Sequence, residues 1–187
     1  GIVYTGSSHI DYFVRVKALA RIGQMELFRN GMFTIQDDSA ALPCLLLAPK
    51  PGDRGVDATL GWGGHAERML AMLAPGGRLL GLDADPLELP RAEARLRRRG
   101  FDETALVVRR TNFAGLAAAV DDVGWRKDED DGVDFILADL GVSSMQIDDP
   151  ARGFSFKLDG PLDMRMNPKR GLSAADWLGR ASVEALA

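Results

Sequence analysis

The sequence predicts an α/β fold, a Rossmann-like parallel sheet with helices on both faces. Three observations carry this expectation. Between Arg54 and Val142, short β-like runs alternate with helix-patterned segments in the order β-α-β-α-β-α-β. The first run opens into a glycine-rich turn, "LGWGGH", directly ahead of a helix. An acid, Asp83, closes the second run, twenty residues beyond Gly63.

The elements follow in chain order. "DYFVRVKALARIGQMELF" (Asp11–Phe28) has a helical pattern. "QDDSAALPCLLLAP" (Gln36–Pro49) reads as a second helix, with Asp38 or Ser39 as N-cap and a kink at Pro43. "RGVDATL" (Arg54–Leu60) is the first sheet strand. In "HAERMLAMLA" (His65–Ala74), Met69, Leu70 and Leu73 share one helical face. "GRLLGLDAD" (Gly77–Asp85) is the second strand, entered through a Pro-Gly-Gly turn. "LPRAEARLRRRG" (Leu89–Gly100) is a helix closed by a glycine. "TALVVRRTNF" (Thr104–Phe113) is the third strand and "AGLAAAVDDVG" (Ala114–Gly124) the helix after it. "VDFILADLGV" (Val133–Val142) is the most apolar run and predicts a central fourth strand. "LSAADWLGRASVEALA" (Leu172–Ala187) begins a further helix with Ser173 as its cap.

Composition narrows the function classes. With 187 residues, 46% of them hydrophobic, a packed core is expected rather than disorder. No apolar run approaches the ~18 residues of a membrane span. The greasiest patch, Ala40–Pro49, is short and broken by Pro43. The first residues lack the basic start and apolar block of a secretory signal. A single cysteine, Cys44, excludes an internal disulfide and a multi-cysteine zinc cage, and fits a reducing cytoplasm. The two histidines, His9 and His65, lie too far apart in sequence for a His-based metal cage, so no metal is expected. The net charge of −4 argues against wholesale coating of nucleic acid. That charge is uneven, with basic runs at Arg91–Gly100, Val107–Arg110 and Arg165–Arg170 and an acidic one at Asp121–Asp134. Each basic run is either a solvated face or a local RNA-facing patch. The chain starts without methionine and stops mid-pattern, and so reads as a fragment.

The glycine turn carries the first chemistry. Gly61, Gly63 and Gly64 let the backbone pass close to a ligand, and the helix behind them points its first amides at it. The spacing also satisfies G-x-G-x-x-A, ending at Ala66. Asp83 is placed to accept from both ribose hydroxyls. A nucleoside cofactor follows, either NAD or S-adenosylmethionine. Asp57 favours the second, because a carboxylate ahead of the glycines attracts a sulfonium and an ammonium but repels a pyrophosphate. Phe113, after the third strand, is flat enough to cover an adenine. His65 reads as a turn residue whose amide or ring faces the cofactor. The plainer alternatives are a ligand-free turn, a core Phe113 and a helix-capping Asp83.

The segment "DLGVSSMQIDDPARGFSFKLDGPLDMRM" (Asp139–Met166) follows the fourth strand. Ligands of open α/β sheets sit beyond the strands' carboxyl ends, so Asp139 falls at the site and the segment behind it covers that site. "RGFSF" sets Arg152 beside Phe154 and Phe156, suited to phosphate contact and base stacking. Arg165 lies in the alternating charged and apolar stretch that ends the segment. The alternative is an irregular lid with its own small core.

The stretches "DATLGWGGHAERML", "GLDADP", "NF", "DLGVSSMQIDDPARGFSFKLDGPLDMRMNP" and "LSAADWL" resemble the bacterial family of ribosomal RNA small subunit methyltransferase H, also called MraW. The resemblance covers roughly Gly52–Ala187, and its most specific part is Asp139–Met166. It implies a class I S-adenosylmethionine-dependent methyltransferase fold, incomplete in this chain, with the first four strands and the start of a helical insertion domain. It implies methylation of the N4 amine of a cytidine in 16S rRNA of the small ribosomal subunit. It carries cofactor contacts to Gly63, Gly64, His65, Asp83, Phe113, Asp139 and Gln146, and leaves Asp139 as the candidate catalytic acceptor. Trp62 departs from the small or polar residue usual at its position. Gly31–Asp53 instead resembles the lead-in of Sun/Nop2-type RNA cytosine-C5 methyltransferases. The implied organisation is a helical lead-in over 1–52, a methyltransferase core with its substrate loop over 53–166, and the insertion from 167 to 187. C5 chemistry needs a cysteine thiolate on the base, and no cysteine follows Asp139. A non-catalytic cofactor- or RNA-binding fragment is the third reading.

Overall fold

The structure, a computed structural model, describes residues 3–6, 14–17, 24–26, 41–126 and 132–186. The chain divides into two units, Gly1–Leu47 and Ala48–Ala187. In the first, β1 (Val3–Gly6) pairs antiparallel with β2 (Val14–Lys17). The helix expected over Asp11–Phe28 is therefore corrected at 14–17. Val-Arg-Val-Lys alternates with period two and carries β-branched residues, so the strand preference wins locally. The rest of that expectation, apart from 24–26, lies outside the described residues, as do Asp38 and Ser39. Of the second expected helix, α1 (Leu42–Leu47) is described. Pro43 sits in its first turn, where the missing N–H has no helical partner to lose, so it opens α1 rather than kinking it.

The second unit holds the parallel sheet. Its strands are β3 (Arg54–Asp57), β4 (Arg78–Asp83), β5 (Leu106–Arg110) and β6 (Phe135–Leu137), in the order β5-β4-β3-β6 and all parallel. The crossovers carry α2 (Gly64–Leu73), α3 (Glu88–Arg98) and α4 (Leu116–Asp122). The chain moves outward from β3 to β5, then returns to lay β6 on the other side of β3. The switch in strand order thus falls between β3 and β6, where open α/β sheets bind their ligands.

The fourth strand is a correction. It is three residues long and lies at the sheet edge, with Ile136 46% exposed; β3 and β4 are the inner strands. Gly55 explains how β6 reaches β3. A Cβ there would fall 2.0 Å from Cζ of Phe135, so the ring lies where any other residue would carry its side chain.

Period-two alternation gives the sheet two apolar faces. Val56, Leu80 and Leu82 pack with Ala119 and Val120 of α4 and with Trp125. Met69, Leu70 and Leu73 of α2 are buried, as expected, and so are Ala92 and Leu96 of α3. Each fully buried Leu or Met contributes about 1.5–3 kcal/mol.

Beyond β6, α5 (Ser144–Ile147) starts with a capping box between Ser143 and Gln146, and a 3₁₀ turn spans Pro150–Arg152. Ser173 caps α6 (Ala174–Leu178) as expected, with Asp176 closing a second box. The single helix expected from Leu172 is interrupted at Gly179, and α7 (Val183–Leu186) follows. No helix among the described residues is long and apolar enough to cross a membrane.

Candidate cofactor site at the ends of the parallel strands

The carboxyl ends of β3, β4 and β6 bring together Asp57, Asp83 and the loop residue Asp139. The backbone stitches these ends to one another. Ala58 N–H donates to the Leu137 carbonyl at 2.8 Å, and Leu60 N–H to the Leu82 carbonyl at 2.8 Å. The Asp139 amide donates to the Thr59 hydroxyl at 2.8 Å. Within the turn, Gly63 adopts a φ of 83°, and a Cβ there would sit 3.1 Å from Leu96 Cδ1 and 3.3 Å from an Arg95 guanidinium nitrogen. Left-handed backbone and close approach both call for glycine. Gly64 opens α2, and a Cβ on it would meet open space.

Asp83 is held by two amides. Gly61 N–H donates to its Oδ2 at 2.7 Å and Asp85 N–H to its Oδ1 at 2.8 Å. Each oxygen keeps a lone pair for a further donor. Asp57 is buried and accepts from the Thr59 amide at 3.1 Å. Its desolvation, with smaller contributions from the charges of Asp83 and Asp139, pushes its carboxyl up to about 7 despite that hydrogen bond. Among the described residues, none of the three carboxylates has an Arg or Lys partner. His65, the second residue of α2, is the one basic group among them, its Nε2 3.3 Å from Asp139 Oδ2. The strand ends therefore gather acids held by backbone amides, and an ionised cluster of this kind favours a cationic ligand.

Phe113 opens a 3₁₀ turn just past β5 and is 56% exposed, so it stands free of the core. Gln146 is buried and doubly engaged. Its Oε1 accepts from the Ser143 amide at 3.0 Å, and its Nε2 donates to Asp85 Oδ2 at 3.0 Å.

Arg152 is a correction. The sequence sets it toward phosphate, but it is turned inward and buried, with Nη1 2.7 Å from Asp85 Oδ2. Its Nη2 donates to the carbonyls of Arg165 and Met166, both at 3.0 Å. From mid-loop it ties the carboxyl-terminal end of the Asp139–Met166 segment to Asp85, just beyond β4. Phe154 lies under the Arg152 guanidinium, 5.9 Å from ring centroid to Cζ. Phe156 projects, 94% exposed. Arg165 forks onto Asp163 two residues away and donates to the Gly171 carbonyl at 3.2 Å.

Two residues escaped sequence reasoning. Asp85 accepts from the Leu87 and Glu88 amides, so it is the acid that caps α3, the role weighed for Asp83. Burial opposes its charge. The hydrogen bonds from Gln146, Leu87 and Arg152, with Arg152's charge, prevail and hold its carboxyl below the usual range. The Asp-Pro before a helical run was its signal. Arg95, inside a run read as solvated or RNA-facing, donates to the Trp62 and Gly63 carbonyls at 3.0 and 2.8 Å and pairs with Glu67. Its place on the apolar face of α3, one residue before Leu96, was the clue.

A family model described as the MraW methylase family matches residues 41–187. The chain is 51% identical over 129 residues, 69% of its length, to ribosomal RNA small subunit methyltransferase H 1 of Lachnoclostridium phytofermentans, of which that covers 33%. It is 50% identical over 137 residues, 73% of its length, to the methyltransferase H 1 of Agathobacter rectalis, covering 37% of it. The chain thus spans little more than a third of the length of these relatives. In fold it matches the crystal structure of a methyltransferase homolog protein from Pyrococcus horikoshii, with a TM-score of 0.53 at 18% identity over 63% of this chain and 38% of that one.

Proposed function

The chain belongs to the MraW methylase family, and from that premise we propose that it binds S-adenosylmethionine at the β3–β6 switch and serves methylation of the N4 amine of a cytidine in 16S rRNA of the small ribosomal subunit. The observation that carries the cofactor is the set of three carboxylates around the glycine turn, none paired with Arg or Lys among the described residues. A pyrophosphate meets repulsion there, whereas a sulfonium and an ammonium are attracted. In this reading the Gly63–His65 backbone and Asp57 line the amino-acid end, Asp83 accepts from the ribose, and Phe113 covers the adenine. Gln146 acts from behind, through Asp85. When bound, the cofactor supplies an electrophilic methyl group.

What remains for the protein is positioning and electrostatics. The N4 amine of cytosine is a weak nucleophile because its lone pair is delocalised into the ring. An acceptor for one of its N–H groups localises that pair. Asp139, mostly exposed at the mouth and tied by His65 and Thr59, is in place for this or for the cofactor's own groups, and the cofactor role is the weightier. The relatives' names supply the ribosomal RNA; the family resemblance supplies N4. Within this chain no cysteine follows Asp139 to supply the thiolate of the C5 route, and Cys44 is buried.

The test is transfer of labelled methyl groups to small ribosomal subunits, followed by nucleoside analysis. N4-methylcytidine is expected. Label in 5-methylcytidine contradicts the proposed chemistry. Cofactor binding without transfer to any subunit reduces the chain to a binding module.

A further inference from the structure

Between the exposed face of α3 and the glycine turn runs a shallow, open groove of about 440 Å³, lined by Trp62, Pro90, Arg91, Ala94, Arg98 and Met145. We propose that this groove is an accessory RNA subsite, in which a single-stranded segment of the substrate stacks a base on Trp62 and lays its phosphates along Arg91 and Arg98. The inference rests on the RNA-methyltransferase reading above and adds to it a surface on α3 beside the glycine turn.

Four features of the groove support this occupant. Trp62 is 42% exposed although it stands between two glycines of the turn. Arg95 lies over its ring, 5.3 Å from the centroid, and donates to its carbonyl, so the indole is braced in place. A rigid, half-exposed aromatic plane is what base stacking uses.

The charges are of one sign. Arg91, Ala94 and Arg98 recur at helical spacing on the face of α3 opposite Ala92, Arg95 and Leu96. The small Ala94 leaves a floor between the two guanidiniums. Arg98 makes no hydrogen bond or ion pair among the described residues. Arg91 also pairs with the buried Glu88 at 2.9 Å, which fixes its guanidinium on this face. From Glu88 to Arg99, α3 and its cap carry five arginines against two glutamates, in a chain whose net charge is −4. A protein partner for such a surface would have to be strongly acidic; a nucleic acid meets both the charge and the aromatic plane.

The groove also adjoins the proposed active site. Trp62 belongs to the cofactor turn, and Met145 lies in α5 beside Gln146, which is bonded to Asp85. A strand held there is delivered to the mouth where Asp139 stands.

The experiment is fluorescence anisotropy of a labelled, cytidine-containing single-stranded RNA oligomer with the full chain and its Trp62→Ala, Trp62→Phe and Arg98→Glu variants. Circular dichroism and denaturant unfolding verify that each variant is folded. Trp62→Ala is expected to weaken RNA binding by roughly 5- to 150-fold, and Trp62→Phe to restore most of it. Arg98→Glu is expected to weaken binding and to lower the salt slope by about one. RNA affinities of Trp62→Ala and Arg98→Glu within twofold of wild type, or a wild-type chain that binds no RNA, overturn the subsite. The two readings fail separately. Methyl transfer that persists with Trp62-independent RNA binding removes the subsite alone. Trp62-dependent RNA binding without any methyl transfer removes the enzyme reading alone.

Discussion

Asp57 and Asp85 are both buried at the carboxyl end of the same sheet, yet they meet opposite fates. Asp85 is surrounded by donors, including the Arg152 guanidinium, and its carboxyl is held below the usual range. Asp57 has one amide and two neighbouring acids, and its carboxyl rises to about 7. A fold that needed only stability has no use for the second arrangement. Asp85 fastens the loop, and Asp57, buried beside two acids, keeps its proton to about 7, so that a cation placed there would favour its ionised form. The difference separates the scaffold from the site within a few residues of chain.

The sharpest way to break the comparison is at the scaffold acid's partner. Arg152→Ala leaves Asp85 buried without its cation, which costs about 3–5 kcal/mol. Denaturant unfolding checks this, and proteolysis within Asp139–Met166 is expected to accelerate as the loop loses its anchor. If Arg152 faced RNA instead, stability would be nearly unchanged and RNA binding would fall.

The second prediction works through pH. Between about 4 and about 7 folded Asp57 keeps a proton that the unfolded chain has released. Its contribution therefore makes the fold less stable as pH rises through that window, by up to roughly 4 kcal/mol. Asp57→Asn removes this loss, so its stability advantage over wild type grows toward pH 7 and above, as thermal unfolding across pH can follow. Asp85 has the opposite sign: its contribution is present at neutral pH and is lost in acid, below the usual carboxylate range.

The site acids differ from the scaffold in a third way. Asp83→Ala removes an acceptor without unpairing a buried charge, so S-adenosylmethionine affinity is expected to fall about tenfold or more while the fold persists. Calorimetry on the variant decides it. The smallest effect belongs to Arg165. Its fork to Asp163 is only partly buried and spans two residues, so Arg165→Ala is expected to destabilise far less than Arg152→Ala. A loss as large as that for Arg152 would erase the distinction between buried and surface pairs.

Much of this was legible in the sequence because it rests on local signals. The strand-helix alternation, the glycine turn, the Ser173 cap and the acid ending β4 each depend on neighbouring residues. Arg152 was misplaced because its partner, Asp85, lies far along the chain, and no periodicity links a loop arginine to a strand-end acid. The fourth strand was put at the centre because apolarity alone does not distinguish an inner strand from an edge strand packed through a glycine. Val14–Lys17 was lost inside a longer helical pattern that its own alternation overrode.

Whether the Asp57–Asp83–Asp139 cluster takes a cationic nucleoside is decided by calorimetric titration of S-adenosylmethionine near pH 6.5. The titration is done in two buffers of different ionisation enthalpy, with NAD and the Asp57→Asn variant alongside. S-adenosylmethionine is expected to bind with release of protons, because the cation favours ionised Asp57, and Asp57→Asn to lose that release. NAD is expected not to bind. Binding of NAD, or binding of S-adenosylmethionine with no proton linkage in wild type, would overturn the assignment of the cluster.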